Sequence, residues 1–336
     1  MQGNNERIVI LEMLKEGKIT AAEAESLLST LIGHNVSEED DYGCDEDNDD
    51  DEEEDDNEDD DDYEDDDIGL LMHILYESEH EKIFELDSTL QYRIDLICTN
   101  GGITISTGDQ LQAKALLKAK VRAENAEVAR ETALDKLILH VEPGHLFFDA
   151  SEYKHFNESL SIDLILPREM VYNIHARSVN GGVALAAAEC NVLEVKTVNG
   201  GIRVVDVKAE TAKLDSTNGG IRSEIVGSEN IRCSSTNGTV AMLMNPMDKG
   251  VCELKTVNGT ISVRIKDAIN AAYDLDLRNS IGSIKVDLPN IKQSSHFSAG
   301  KRNEVKLISP NNDDHSRVIR IVASAINGNI TIQEQD

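Results

Sequence analysis

The sequence predicts a mainly β fold: a parallel β-solenoid-like repeat domain of about 19 residues per coil, preceded by a small α-helical hairpin and an acidic linker. Three observations predict it. Asn-Gly occurs seven times, at Asn100, Asn180, Asn199, Asn218, Asn237, Asn258 and Asn327, and the four from Asn180 to Asn237 are spaced by a constant 19 residues. The third residue after each Asn is β-branched and apolar: Ile103, Val183, Ile202, Ile221, Val240, Ile261 and Ile330. Finally, 24 of the 30 residues from Glu38 to Asp67 are acidic, which separates a short amphipathic segment from the repeats.

Residues 1–34 read as a hairpin of two helices. Asn5 is placed to cap the first, whose apolar residues Ile8, Leu11 and Leu14 share a face until Gly17 stops it. Thr20 and Glu23 form a capping box for the second, which carries the stripe Ala24, Leu27, Leu28 and Leu31. A unit this small buries too little surface to be stable alone, so it is expected to self-associate or to dock on a partner.

Residues 35–67 read as a disordered tether, because the stretch has almost nothing to bury and its carboxylates repel one another. It dominates the net charge of −32, since 40 acidic and 32 basic residues remain outside the run from Glu38 to Asp67. The segment Asp45-Glu46-Asp47-Asn48-Asp49 invites a calcium site. Asp50, however, stands where an EF-hand loop needs Gly for its turn, so only diffuse cation binding is expected.

The β-repeat domain spans residues 68–336. It begins with the apolar run Ile68 to Tyr76, read as a packed helix or an edge strand, and a helix is expected as an insertion near 124–136. Two residues before each Asn stand Cys98, Ser178, Thr197, Ser216, Ser235, Thr256 and Ala325; four before stand Leu96, Ala176, Val195, Leu214, Cys233, Leu254 and Ala323. Small or apolar groups at steps of two indicate strands with one face buried. Two architectures fit. In a meander each Asn-Gly closes a type I′ hairpin. In a solenoid it turns a corner, equivalent residues stack at about 4.8 Å, and Asn can ladder on Asn. The solenoid explains better why the same residue types recur in register.

The chemistry-bearing residues are sparse. No P-loop, dinucleotide fingerprint, zinc-hydrolase or serine-hydrolase motif occurs. The five cysteines are widely spaced without a C-x-x-C pair. His140 and His145 lack a nearby carboxylate or thiol at ligand spacing, so neither a metal nor a cofactor is expected. From Ser178 to Val263 there is no aromatic residue to stack on a sugar, and the acidic balance disfavours nucleic acid. The candidate binding feature is a basic stripe: Arg177, Lys196 and Lys255 three residues before an Asn, and Arg203 and Arg222 four after. Ordinary solvated strand decoration is the simpler explanation, since exposed charges are the default at outward positions and Asp215 and Ser234 interrupt the first column. As a functional feature, the stripe would bind an anionic envelope polymer or membrane surface, or be covered by the acidic tether.

The run Ser-Val-Asn-Gly-Gly-Val, Thr-Val-Asn-Gly-Gly-Ile, Ser-Thr-Asn-Gly-Gly-Ile and Thr-Val-Asn-Gly-Thr-Ile resembles the bacterial putative-adhesin β-repeat family of unknown function. The segment from Glu6 to Ala24 resembles the small helical domain of YvlB/LiaX-type proteins of Gram-positive bacteria. These resemblances imply a role in cell-envelope stress or surface binding and supply no catalytic residues. The period breaks between Gly101 and Val179, and Asn279-Ser280-Ile281-Gly282 stands where Asn-Gly would recur. The expectation is a non-enzymatic scaffold or binding protein, with a polysaccharide-acting solenoid enzyme or an intracellular scaffold as alternatives. Neither an export signal nor an apolar stretch of membrane-spanning length is evident, so a cytoplasmic protein with membrane or surface association is expected.

Overall fold

The computed structural model describes residues 74–155, 157–245, 249–266, 271–289, 291–295, 303–308 and 317–335. The expected hairpin and acidic tether lie outside the described residues. Chain order begins with β1 (Ile74–Glu85), β2 (Tyr92–Cys98), β3 (Ile103–Gly108), β4 (Gln112–Ala123), α1 (Ala126–Asp135), β5 (Ile138–Glu142), β6 (His145–Ala150) and β7 (Ser159–Pro167). It continues with β8 (Val171–Ser178), β9 (Val183–Ala186), β10 (Glu189–Thr197), β11 (Ile202–Ser216), β12 (Ile221–Val226), β13 (Asn230–Ser235), β14 (Val240–Asn245) and β15 (Lys249–Asn258). The last strands are β16 (Ile261–Ile265), β17 (Ala271–Ile281), β18 (Ile284–Leu288), β19 (Ile291–Ser295), β20 (Asn303–Ile308), β21 (Arg317–Asn327) and β22 (Ile330–Glu334).

The strands form two stacks around one apolar core. In the first stack β6, β2, β8, β10, the second half of β11, β13, β15, β21 and β17 pair in parallel. In the second, β7, β3, β9, the first half of β11, β12, β14, β16, β22 and β18 do the same. Parallel, in-register pairing decides for the solenoid over the meander, because a meander would run neighbouring strands antiparallel. Each coil places one strand in each stack, and all but the coils β6–β7 and β17–β18 turn between them at Asn-Gly. The opposite corner is less regular. Ala187 and Asp206 adopt left-handed φ values of 54° and 52° there, and β11 carries a register shift between Val204 and Val207.

The β-branched column forms a single ladder inside the second stack. Ile103, Val183, Ile202, Ile221, Val240, Ile261 and Ile330 are consecutive register partners and all are buried. On the other wall of the core, Leu96, Ala176, Val195, Leu214, Cys233, Leu254 and Ala323 stack likewise. In the regular repeats a shape repeated at strand spacing fills the core without aromatic rings, whereas toward the ends Tyr92, Phe148, Tyr172 and Tyr273 are buried in it.

The Asn-Gly corner is held by three repeated devices. Each Asn amide donates to the Asn carbonyl oxygen of the neighbouring coil, Asn180 to Asn100 and onward through Asn199, Asn218, Asn237, Asn258 and Asn327, at 2.7–2.9 Å. The small residues two before the Asn are not mere fillers. Ser178, Thr197, Ser216, Ser235 and Thr256 each donate a hydroxyl to the first Gly carbonyl of the adjacent coil at 2.9–3.2 Å, so a buried hydroxyl and a corner carbonyl satisfy each other. The Gly itself is required by close approach. A Cβ on Gly200 would lie 2.0 Å from the Gly181 oxygen, and one on Gly219 would lie 2.0 Å from that of Gly200.

Spatial order departs from chain order at both ends. The coil of β6 and β7 stacks outside the earlier coil of β2 and β3, which is thereby sandwiched against β8 and β9. At the far end the last coil, β21 and β22, is inserted between β15–β16 and β17–β18. Beyond these coils the pairing turns antiparallel: β1 on β4, β4 on β7, and β5 on β6 at one end, β20 on β17 and β19 on β18 at the other. These strands cover edges that would otherwise invite pairing with another chain. The irregular stretch 279–282 also acquires a physical reason. Asn279 does not occupy the ladder position; it is the register partner of Ala325, is buried, and donates its amide to the Gly328 carbonyl at 2.6 Å in place of a Ser or Thr hydroxyl. Ile281 stands opposite Asn327, so the Asn ladder ends there.

Candidate binding faces of the solenoid

Alternation along a strand fixes which side chains leave the core. Three residues before the Asn is an outward position of the first stack, and four after is an outward position of the second. The five basic residues expected as one stripe therefore do not form one. Arg177, Lys196 and Lys255 lie on the first stack, Arg203 and Arg222 on the second, with the Asn-Gly corner between them. The strand order carries the chain round the corner within seven residues, which the alignment on Asn alone does not reveal.

On the first stack Arg177 and Lys196 are direct register partners. Asp215 and Ser234 then separate them from Lys255. Lys255 lies 3.9 Å from the Glu253 carboxylate; among the described residues neither Arg177 nor Lys196 has an ion-pair partner. A shallow groove of about 560 Å³ runs beside them, with the exposed Val179 and Val198 on its wall. The outward column two residues earlier is different. There charges are matched across coils, Lys213 with Glu194 at 3.4 Å and Arg232 with Glu253 at 2.9 Å.

On the second stack Arg203 and Arg222 are register partners on adjacent strands, both exposed and both without a carboxylate partner among the described residues. They border a second shallow groove, of about 340 Å³, whose floor includes Ala241 and Ser262 and whose far side carries Arg264. Arg264 follows Asn258 by six residues. It is outward by the same alternation as Arg203 and Arg222, but the other members of its column differ in type, so comparing equivalent positions does not single it out. The groove also contains Glu224, which is held by Lys266 at 2.6 Å.

The histidines resolve into structural partners. His145 Nε2 lies 2.7 Å from Asp95 Oδ2, while His140 stacks on Phe147 at a centroid distance of 5.9 Å. Arg93 also donates to Asp95 at 2.7 Å. Burial pushes the Asp95 carboxyl up, but these hydrogen bonds hold it below the ordinary carboxylate value. Among the described residues no group of three or more His, Cys, Asp or Glu side chains is placed to hold a metal ion. The four cysteines Cys98, Cys190, Cys233 and Cys252 are buried and unpaired. Burial pushes the thiols of Cys98, Cys190 and Cys233 up to about 12 and that of Cys252 well above its ordinary value, which suits packing and disfavours nucleophilic chemistry. No helix among the described residues is long and apolar enough to cross a membrane.

No curated protein matches the chain. Among solved structures, a putative cell adhesion protein from Clostridium sporogenes is similar over 77% of this chain and 100% of its own, at 13% identity and a TM-score of 0.34. A putative adhesin from Bacteroides fragilis is similar over 76% of this chain and 97% of its own, at 12% identity and a TM-score of 0.33. Residues 5–32 match the SHOCT-like domain. Residues 134–333, more than half of the sequence and including every regular repeat, match the Toastrack DUF4097 family, and the chain belongs to that family.

Proposed function

We propose that the chain is a non-enzymatic β-repeat binding protein that works at the bacterial cell envelope, with the outward faces of the solenoid as its binding surface. The observation that carries this reading is the pair of register-matched cation sets, Arg177 with Lys196 and Arg203 with Arg222, left without carboxylate partners while neighbouring columns are charge-matched. Inward positions are committed to packing, so the outward lattice is the part of each coil free to vary with a ligand. Residues 1–34, as a helical hairpin of the YvlB/LiaX type, would supply protein association, and residues 35–67 an anionic spacer. The working location follows from the resemblance of the repeats to adhesin-type domains.

Fractionation of cells carrying the tagged full chain, with and without an envelope-active antibiotic, tests it. Antibiotic-dependent recovery in the envelope fraction is the expected result; a protein that remains soluble with only cytosolic partners overturns the location. Shortening of any envelope polymer by the purified chain overturns the non-enzymatic part.

A further inference from the structure

Like charges on adjacent strands destabilise a sheet, and Arg203 and Arg222 sit as direct register partners, roughly 4.8 Å apart along the stack. The one carboxylate lining the groove, Glu224, is engaged by Lys266 at 2.6 Å and so is neutralised from outside the arginine set. Beyond Arg222 the outward column shrinks to Ala241 and then Ser262. This leaves open floor between Arg222 and Arg264, whose backbones are two strands and two residues apart, roughly 10 Å by 7 Å. Three guanidinium forks thus border a groove of about 340 Å³ with small side chains at its base.

Guanidinium is the cation suited to bidentate capture of tetrahedral or carboxylate oxyanions. Its spacing here, one arginine per coil on one side and another across the floor, fits an extended chain that repeats its negative charge better than a single small anion. No Phe, Trp or Tyr occurs from Ser178 to Val263 to stack on bases. The groove's apolar lining, Val205 and Leu243, is half-buried and does not project as a membrane wedge.

We infer that Arg203, Arg222 and Arg264 form a binding groove for a flexible phosphodiester polymer that carries no stacked bases. The inference rests on the binding reading above and names its site and ligand class. It implies a separation of stability from function: removing Arg222 relieves like-charge repulsion while removing a ligand contact.

The test uses the full chain and poly(glycerol phosphate), with a single-stranded oligonucleotide and phosphatidylglycerol vesicles as parallel probes. Wild type should bind the polymer in a salt-dependent way and more tightly than either other probe. Arg222→Ala with Arg264→Ala should weaken binding by about tenfold or more, because charge-assisted hydrogen bonds to the ligand are lost. Arg222→Lys should fall between wild type and Arg222→Ala, and Lys208→Ala with Lys213→Ala on the other stack, where both cations are already paired with carboxylates, should leave affinity within about twofold. The melting temperature of Arg222→Ala should equal or exceed that of wild type. An unchanged affinity in the arginine variants overturns the groove while leaving a binding protein, as does equal loss from the first-stack variant. Preference for vesicles or oligonucleotide overturns the ligand class. Wild type that binds none of the three overturns the groove and removes the main support for the binding reading as well.

Discussion

The middle of the solenoid and its ends solve the same packing problem differently. In the coils around Asn199, Asn218 and Asn237, each 19-residue unit stacks on the unit before it in sequence, and each device of the corner recurs unchanged. At the ends the coil nearest each terminus of the described domain is buried inside the stack and a coil from nearer the middle of the sequence is placed outside it. Antiparallel strands and α1 then cover what remains. A repeat can propagate indefinitely, whereas an end must stop without leaving an open edge. Uniformity serves the first need and topological irregularity the second.

The largest effects should come from breaking the middle where backbones meet. Gly219→Ala puts a Cβ 2.0 Å from the Gly200 oxygen, whereas Gly220→Ala puts one 3.3 Å from the Thr239 oxygen. We expect the first to lose on the order of 3 kcal/mol or more, or to fail to fold, and the second about 1 kcal/mol or less. Urea unfolding of both variants checks the contrast. At the end, Gly144→Ala in the turn between β5 and β6 meets nothing closer than 3.4 Å and suffers only its φ of +79°, a cost of about 1–2 kcal/mol.

Next in size is the core ladder. Ile221→Ala removes a buried side chain with partners on both sides, Ile202 and Val240, and should cost about 2–5 kcal/mol in unfolding free energy. A loss below about 1 kcal/mol would mean that the coils repack independently.

The end cap has an ion pair more deeply buried than those of the middle. Glu158, 5% exposed, accepts from Lys136 just after α1 and from the Arg122 amide at 3.3 Å. Burial pushes its carboxyl up, but these partners hold it below the ordinary value of 4.5. A depressed carboxylate contributes stability that is present above its unfolded pKa and lost as pH falls through the folded one. Glu158→Gln should therefore destabilise the protein by about 1–3 kcal/mol at neutral pH. It should also flatten the fall in stability below pH 4.5, as read from melting temperature against pH.

The smallest effect belongs to the Asn ladder. Asn218→Ala removes the amide bonds to Asn199 and Asn237, both solvent-exposed, and should cost about 1 kcal/mol by thermal melting.

How far the sequence reveals this molecule follows the same division. The columns at −4, −2 and +3 from each Asn identify stacked strands because identical neighbours repeat a residue preference on every coil. Asn279 shows where that logic fails: it aligns by eye with the ladder Asn, yet its register partner is Ala325 and it replaces a hydroxyl. Insertion of the first and last coils leaves no periodic trace, since the strand pattern of β21 is the same whether it packs on β17, on β15 or at an edge. For the binding faces, spacing from the Asn picks out Arg177, Lys196, Arg203, Arg222 and Lys255, but only the fold assigns them to two stacks and brings Arg264 toward Arg222.

Native-state hydrogen exchange tests most directly the claim that burial follows spatial rather than sequence order. The amides of β21 from Ile319 to Ala325 should exchange as slowly as those of β13, while those of β20, nearer the middle of the sequence than β21, exchange much faster. Exchange that instead quickens steadily from the central repeats toward the C-terminal coil, with β21 faster than β20, would contradict the inserted arrangement and with it the account of how the solenoid ends.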